Sequence, residues 1–146
     1  MNAVKLTSTL TFRLGTLGAV LTDRFTARLA AHDLKPKHVG LLAVLDSGVA
    51  ASQLDVAKIM SVAPSLVVSL ADRLEELGAV RRERDPSDRR RQILTLTAEG
   101  RDLLAECARA AAELDAELLE GLDQEGAETL RVTLSTLARR TGLPAD

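Results

Sequence analysis

Six arginines crowd into the eleven residues from Arg81 to Arg91, interleaved with Glu83, Asp85 and Asp88. A guanidinium stays charged and presents a planar fork of donors, so the run suits phosphates and base edges. Its core, Arg84-Asp85-Pro86-Ser87-Asp88-Arg89-Arg90-Arg91, is also a turn sequence. Asp and Ser side chains hydrogen-bond nearby backbone, and Pro presets φ. Asp88 stands two residues before Arg90 and can hold its guanidinium by a charge-assisted pair. An arginine held extended loses less entropy on binding. Other reactive groups are few. Cys107 is the sole cysteine, which excludes an internal disulfide and a multi-cysteine zinc site. It falls on an apolar stripe with no Tyr in the chain to support a thiolate, so it reads as a small buried hydrophobe, not a redox sensor. His32 and His38 with one cysteine do not compose a metal site. No G-x-S-x-G, P-loop or H-E-x-x-H is present, so neither an enzyme nor a cofactor is expected.

The elements that position this run come from a chain of 146 residues, 46% hydrophobic and 27% charged, enough for one domain with a core. Two Phe are the whole aromatic complement, so the core is aliphatic and base stacking on aromatic rings is nearly excluded. The net charge of −2 is unevenly spread. Residues 1–40 carry +4, 41–80 carry −3, 81–96 carry +3 and 97–146 carry −6. The arginine run is thus a basic island between acidic segments, which discourage polyanions elsewhere. No apolar run is long enough to span a membrane, and Lys5 and Arg13 break any leader-like pattern, so a cytoplasmic protein is expected.

Leu6, Leu10, Leu14, Leu17, Leu21, Phe25 and Leu29 recur at three or four residues, predicting a long amphipathic first helix. Pro36 opens a second helix with Val39, Leu42 and Leu45 inward, and Gly48 ends it. Ser52 starts a short third helix, with Asp55 as its capping-box partner. A fourth runs from Pro64 to Gly78, with Val67, Leu70, Ala71, Leu74 and Leu77 on one face. Residues 79–84 and 91–96 read as strands of a hairpin. Thr97 caps a fifth helix carrying Leu103, Leu104, Cys107, Ala111, Leu114 and Leu118. A sixth carries Leu130, Leu134 and Leu137 before Gly142 and Pro144. Two helices joined by a tight turn at residues 60–63 can place the second in a DNA major groove, and an arginine-tipped hairpin beside it can reach the minor groove.

These residues resemble the MarR family of bacterial winged helix-turn-helix regulators. The resemblance runs through Ser52-Gln53-Leu54-Asp55-Val56-Ala57-Lys58-Ile59-Met60 and Leu70-Ala71-Asp72-Arg73-Leu74-Glu75-Glu76-Leu77-Gly78. It continues through the D-x-R element at Asp88 and Arg90 and the L-T-x-x-G element at Leu96, Thr97 and Gly100. It implies a mainly α fold with a small β-hairpin: a winged helix-turn-helix DNA-binding lobe at 35–100 within a single domain, flanked by dimerisation helices at 1–34 and 101–146. It also implies a homodimer on a pseudo-palindromic operator in double-stranded DNA, acting as a repressor and released by a small anionic or aromatic effector. The expected DNA contacts are Ser65, Leu66, Val68, Ser69, Arg73, Arg84, Asp88, Arg89, Arg90 and Arg91. Leu66 or Val68 would meet thymine methyls, and Ser65 and Ser69 would make single hydrogen bonds. Arg73 is divided between a phosphate and Glu76 at i+3. The family's cleft would set His38 beside Arg13, Leu17 and Leu42 as an effector pocket; alone, His38 reads as a partly buried structural histidine. Ala63 replaces the family's frequent Ser or Thr cap, and few side chains beyond it can read bases. A winged-helix module for protein–protein contact is the alternative, and salt dependence of DNA binding separates the two.

Overall fold

The computed structural model describes residues 3–48, 51–143 and 145. Helix α1 (Leu10–Leu29) begins where Thr9 is extended and its hydroxyl accepts a hydrogen bond from the Phe12 N–H. This cap starts the helix later than the apolar spacing predicts. Leu6 keeps the period but lies in a 3-10 turn, Leu6–Ser8. Periodicity does not register a hydroxyl that can satisfy an orphan N–H. The α1 stripe changes along its length: Leu10, Leu14 and Leu17 are exposed, Leu21 and Phe25 half-buried, Leu29 fully buried.

A second 3-10 turn (Ala30–His32) and left-handed Asp33 lead into α2 (Pro36–Ser47), which Pro36 opens and Gly48 closes at φ 72°. Helices α3 (Gln53–Met60) and α4 (Pro64–Glu76) are joined by Ser61, Val62 and Ala63. The Ser52 hydroxyl caps α3 by accepting from the Asp55 N–H. The expected capping box is not completed, because the Asp55 carboxylate instead accepts from Arg91. Ala63 gives α4 no side-chain cap. Val67, Leu70, Ala71 and Leu74 are buried, but Leu77, expected on that face, is exposed at the helix end.

Strands β1 (Val80–Arg84) and β2 (Gln92–Leu96) pair antiparallel, with Val80 opposite Leu96 and Arg84 opposite Gln92. Ser52 forms an isolated bridge to Ile93, and the Leu94 N–H donates to the Ala51 carbonyl, so the start of α3 is stitched to the hairpin. Thr97 accepts from the Gly100 N–H and donates to the Gly78 and Ala79 carbonyls, which sets α5 (Ala98–Leu118) against the base of β1. Gly100 is required there: a Cβ would collide with the Ala79 carbonyl oxygen. Asp123 caps α6 (Gln124–Arg140) by accepting from the Gly126 N–H. Pro144 lies outside the described residues.

The chain divides into two compact units, Met1–Ala112 and Glu113–Asp146. In the first, Leu29, Leu41, Leu42, Val56, Val67, Leu74 and Cys107 are fully buried and form an aliphatic core with Leu70, Val80, Leu94 and Leu96. Burial raises the Cys107 thiol pKa, reinforced by Glu106, so the sulfur stays protonated and unreactive. In the second unit Leu114 and Ala127 are buried, while Val132, Leu134 and Leu137 are exposed on α6. No single helix among the described residues is long and apolar enough to cross a membrane.

Candidate nucleic-acid interface

Helix α4 turns Ser65, Val68, Ser69, Asp72 and Glu76 outward. Leu66 is different: it is half-buried against the core, so its methyls are not presented as expected. At the flank of the inward face it follows Val67 and Leu70 instead of Ser65. Val68 faces a cleft of about 200 Å³ whose other walls include Ser52, Gln53, Arg90, Arg91 and Gln92. The helix and the hairpin therefore share one concave surface that brings Val68 and Arg90 together.

The hairpin tip is held by short polar contacts. Asp85 Oδ1 accepts from both the N–H and the hydroxyl of Ser87, at 2.8 and 2.7 Å. These two bonds hold the Asp85 carboxyl below its usual pKa, so it is ionised across the physiological range. Asp88 Oδ1 accepts from the Arg90 backbone N–H at 3.1 Å and from its Nε at 3.3 Å. The expected Asp88–Arg90 pair thus forms, with the Arg90 side chain still 93% exposed. Arg84 and Arg89 are also exposed.

Arg82 and Arg91 are engaged differently. Arg82, which the sequence reading did not select, donates to Asp72 Oδ1 at 2.9 Å and to the Val68 carbonyl at 3.3 Å. Its side chain is 19% exposed, and its buried Nε has no partner among the described residues. It locks β1 to the outward edge of α4. Arg91 donates from one terminal nitrogen to Ser52 Oγ and Asp55 Oδ2, each at 3.1 Å. Arg73 is likewise committed. It pairs with Glu76 at 3.2 Å, one of the two options read from sequence, and with Asp33 at 2.8 Å, which no local spacing could reveal. It therefore ties α4 to the corner between α1 and α2, with two carboxylates on its guanidinium.

The expected effector set is not assembled. Leu42 is fully buried on the inward face of α2, and Leu17 is exposed on α1. The exposed Arg13 donates to the Thr7 carbonyl. His38 instead borders a pocket of about 420 Å³ with Thr26, Ala30, Asp33, Leu34, Lys35 and Arg73. Its Nδ1 accepts from the Lys35 N–H at 2.8 Å, which fixes the neutral tautomer at the start of α2. Burial lowers its pKa most, then Arg73 and Lys35; Asp33 opposes them. Among the described residues no cluster of His, Cys, Asp and Glu could hold a metal.

An arginine-tipped hairpin beside a two-helix turn defines a winged helix-turn-helix, and the MarR family profile matches residues 32–91. The transcriptional regulator HosA of Escherichia coli O111:H- is 35% identical over 115 residues, covering 74% of this chain and 82% of HosA. The chain belongs to the MarR family and is a DNA-binding transcriptional regulator. Among solved structures, the transcriptional repressor CouR bound to a 23-mer DNA duplex is 30% identical with a TM-score of 0.78, covering 94% of this chain and 100% of CouR. CouR from Rhodococcus jostii RHA1 bound to p-coumaroyl-CoA is 25% identical with a TM-score of 0.75, covering 93% and 96%.

Proposed function

We propose that this regulator is a repressor that grips a pseudo-palindromic operator as a homodimer in the cytoplasm. Helix α4 enters the major groove with Ser65, Val68 and Ser69 toward the bases. Arg84, Arg89 and Arg90 at the hairpin tip meet the backbone and the adjacent minor groove, whose negative potential attracts guanidinium. The observation that carries this reading is the Asp88-held, open Arg90 across a shared cleft from Val68. The solved duplex complex of CouR supports the same use of the fold.

The exposed leucines of α1 and α6 supply apolar surface for a second copy, so that residues 1–34 and 101–146 serve as dimerisation helices and 35–100 as the DNA-binding lobe. Two α4 helices then have to sit about 34–36 Å apart to enter successive major grooves. A small anionic or aromatic ligand that binds one lobe spacing better than another shifts the population away from the DNA-competent form. CouR's complex with p-coumaroyl-CoA is the precedent for a ligand of this type.

The test is selection of bound duplex from fragmented chromosomal DNA, followed by mobility-shift titration at several salt concentrations. Arg90→Ala lowers affinity for the selected duplex at least about tenfold and flattens the salt slope by about one. Unchanged affinity at matched salt, or binding with no steep salt dependence, rejects the DNA grip and favours a protein–protein module.

A further inference from the structure

Arg91 lies where the hairpin tip becomes strand β2. Its carbonyl accepts from the Asp85 N–H and its own N–H donates to the Asp88 carbonyl, both at 2.9 Å, so its backbone closes the tip loop. Its side chain leaves the hairpin and reaches Ser52 and Asp55 at the start of α3. Ser52 is 1% exposed, and its hydroxyl oxygen is shared between the Asp55 N–H and the Arg91 guanidinium. The half-exposed Asp55 carboxylate completes the contact. One guanidinium nitrogen therefore joins residues 36 and 39 positions away and fixes the return of the tip to the helix-turn-helix.

We propose that Arg91 is a positioning residue and not a DNA contact, and that Asp55 is its anchor, so that an acidic side chain beside the nucleic-acid surface strengthens binding. The inference rests on the proposed grip of the tip on duplex DNA. It runs against simple electrostatics. Removing a negative charge near a polyanion raises affinity unless that charge holds something in place. Fixing the base of the tip limits the directions in which the next residue, Arg90, can lie, and so lowers the ordering cost on binding.

The experiment compares Asp55→Asn, Arg91→Ala, the double variant and Asp55→Glu on the selected duplex. Asparagine at 55 retains the backbone N–H that Ser52 caps, and thermal melting verifies each fold. The expected result is an affinity loss of about threefold to tenfold for Asp55→Asn at an unchanged salt slope. Arg91→Ala gives a similar loss, also without a slope change. The double variant is no worse than either single, because both remove one contact, and Asp55→Glu recovers part of the loss. Tighter binding by Asp55→Asn, or a slope reduced by about one in Arg91→Ala, overturns the anchor and makes Arg91 a phosphate contact. If Arg90→Ala is also without effect, the DNA grip itself fails; if Arg90→Ala weakens binding while Asp55→Asn does not, only the anchor fails.

Discussion

The hairpin holds two sets of arginines in different physical states. At the tip, Arg84, Arg89 and Arg90 are exposed, and the Asp88 bond orients Arg90 without covering it. Arg82 in mid-strand and Arg91 where the tip meets β2 instead donate to Asp72, the Val68 carbonyl, Ser52 and Asp55. Exposed ion pairs contribute about 0–1 kcal/mol, whereas the mostly covered Arg82 guanidinium contributes more, since stripping it leaves polar groups unpaired. One set holds the geometry, and in the proposed grip the other meets the DNA. A basic island in a sequence is therefore two populations, and net charge counts them as one.

The comparison sharpens if Arg82 and its surroundings set stability while the open tip arginines change only affinity. The largest effect is expected where α5 abuts the base. Gly100→Ala drives a methyl into the Ala79 carbonyl and destabilises the fold by about 3 kcal/mol, read as a lower urea midpoint. Arg82→Ala loses about 1–2 kcal/mol in the same assay, through its carboxylate bond and its covered stem. Arg90→Ala leaves the urea midpoint within about 0.5 kcal/mol of the parent despite its effect on DNA. A melting loss in Arg90→Ala as large as that of Arg82→Ala would erase the distinction.

The smallest effect lies away from the hairpin. The His38 pKa is depressed from 6.5, so below that pH the unfolded chain binds a proton that the folded chain resists. Its contribution to stability is full above pH 6.5 and declines as the pH falls toward the lowered folded value. His38→Gln makes the urea midpoint less sensitive to acidification in that window, and an identical pH profile in both proteins discounts the histidine.

Much of this architecture is legible in the sequence. Pro36, Pro64, Gly48 and Gly78 mark helix ends because their backbone limits act locally, and Thr97 marks the start of α5 because its hydroxyl accepts from an N–H three residues on. The Asp88–Arg90 pair was readable because its partners are two residues apart. Three unread contacts share a cause. Arg73 with Asp33, Arg82 with Asp72 and Arg91 with Asp55 are pairs that only tertiary packing creates. Leu66 was misplaced because a residue at the flank of a helix face can turn either way. The late start of α1 turned on a single hydroxyl that leaves the apolar spacing unchanged.

Helix α1 ends with Leu29 sealed in the core and begins with Leu10 bare. Its two halves should therefore gain protection by processes of different kinetic order. The inner half settles with its own unit, at a rate indifferent to protein concentration. In the proposed homodimer the outer half waits for a collision, and dilution slows it. Amide exchange followed along this one helix would thus time folding and assembly on a single ruler.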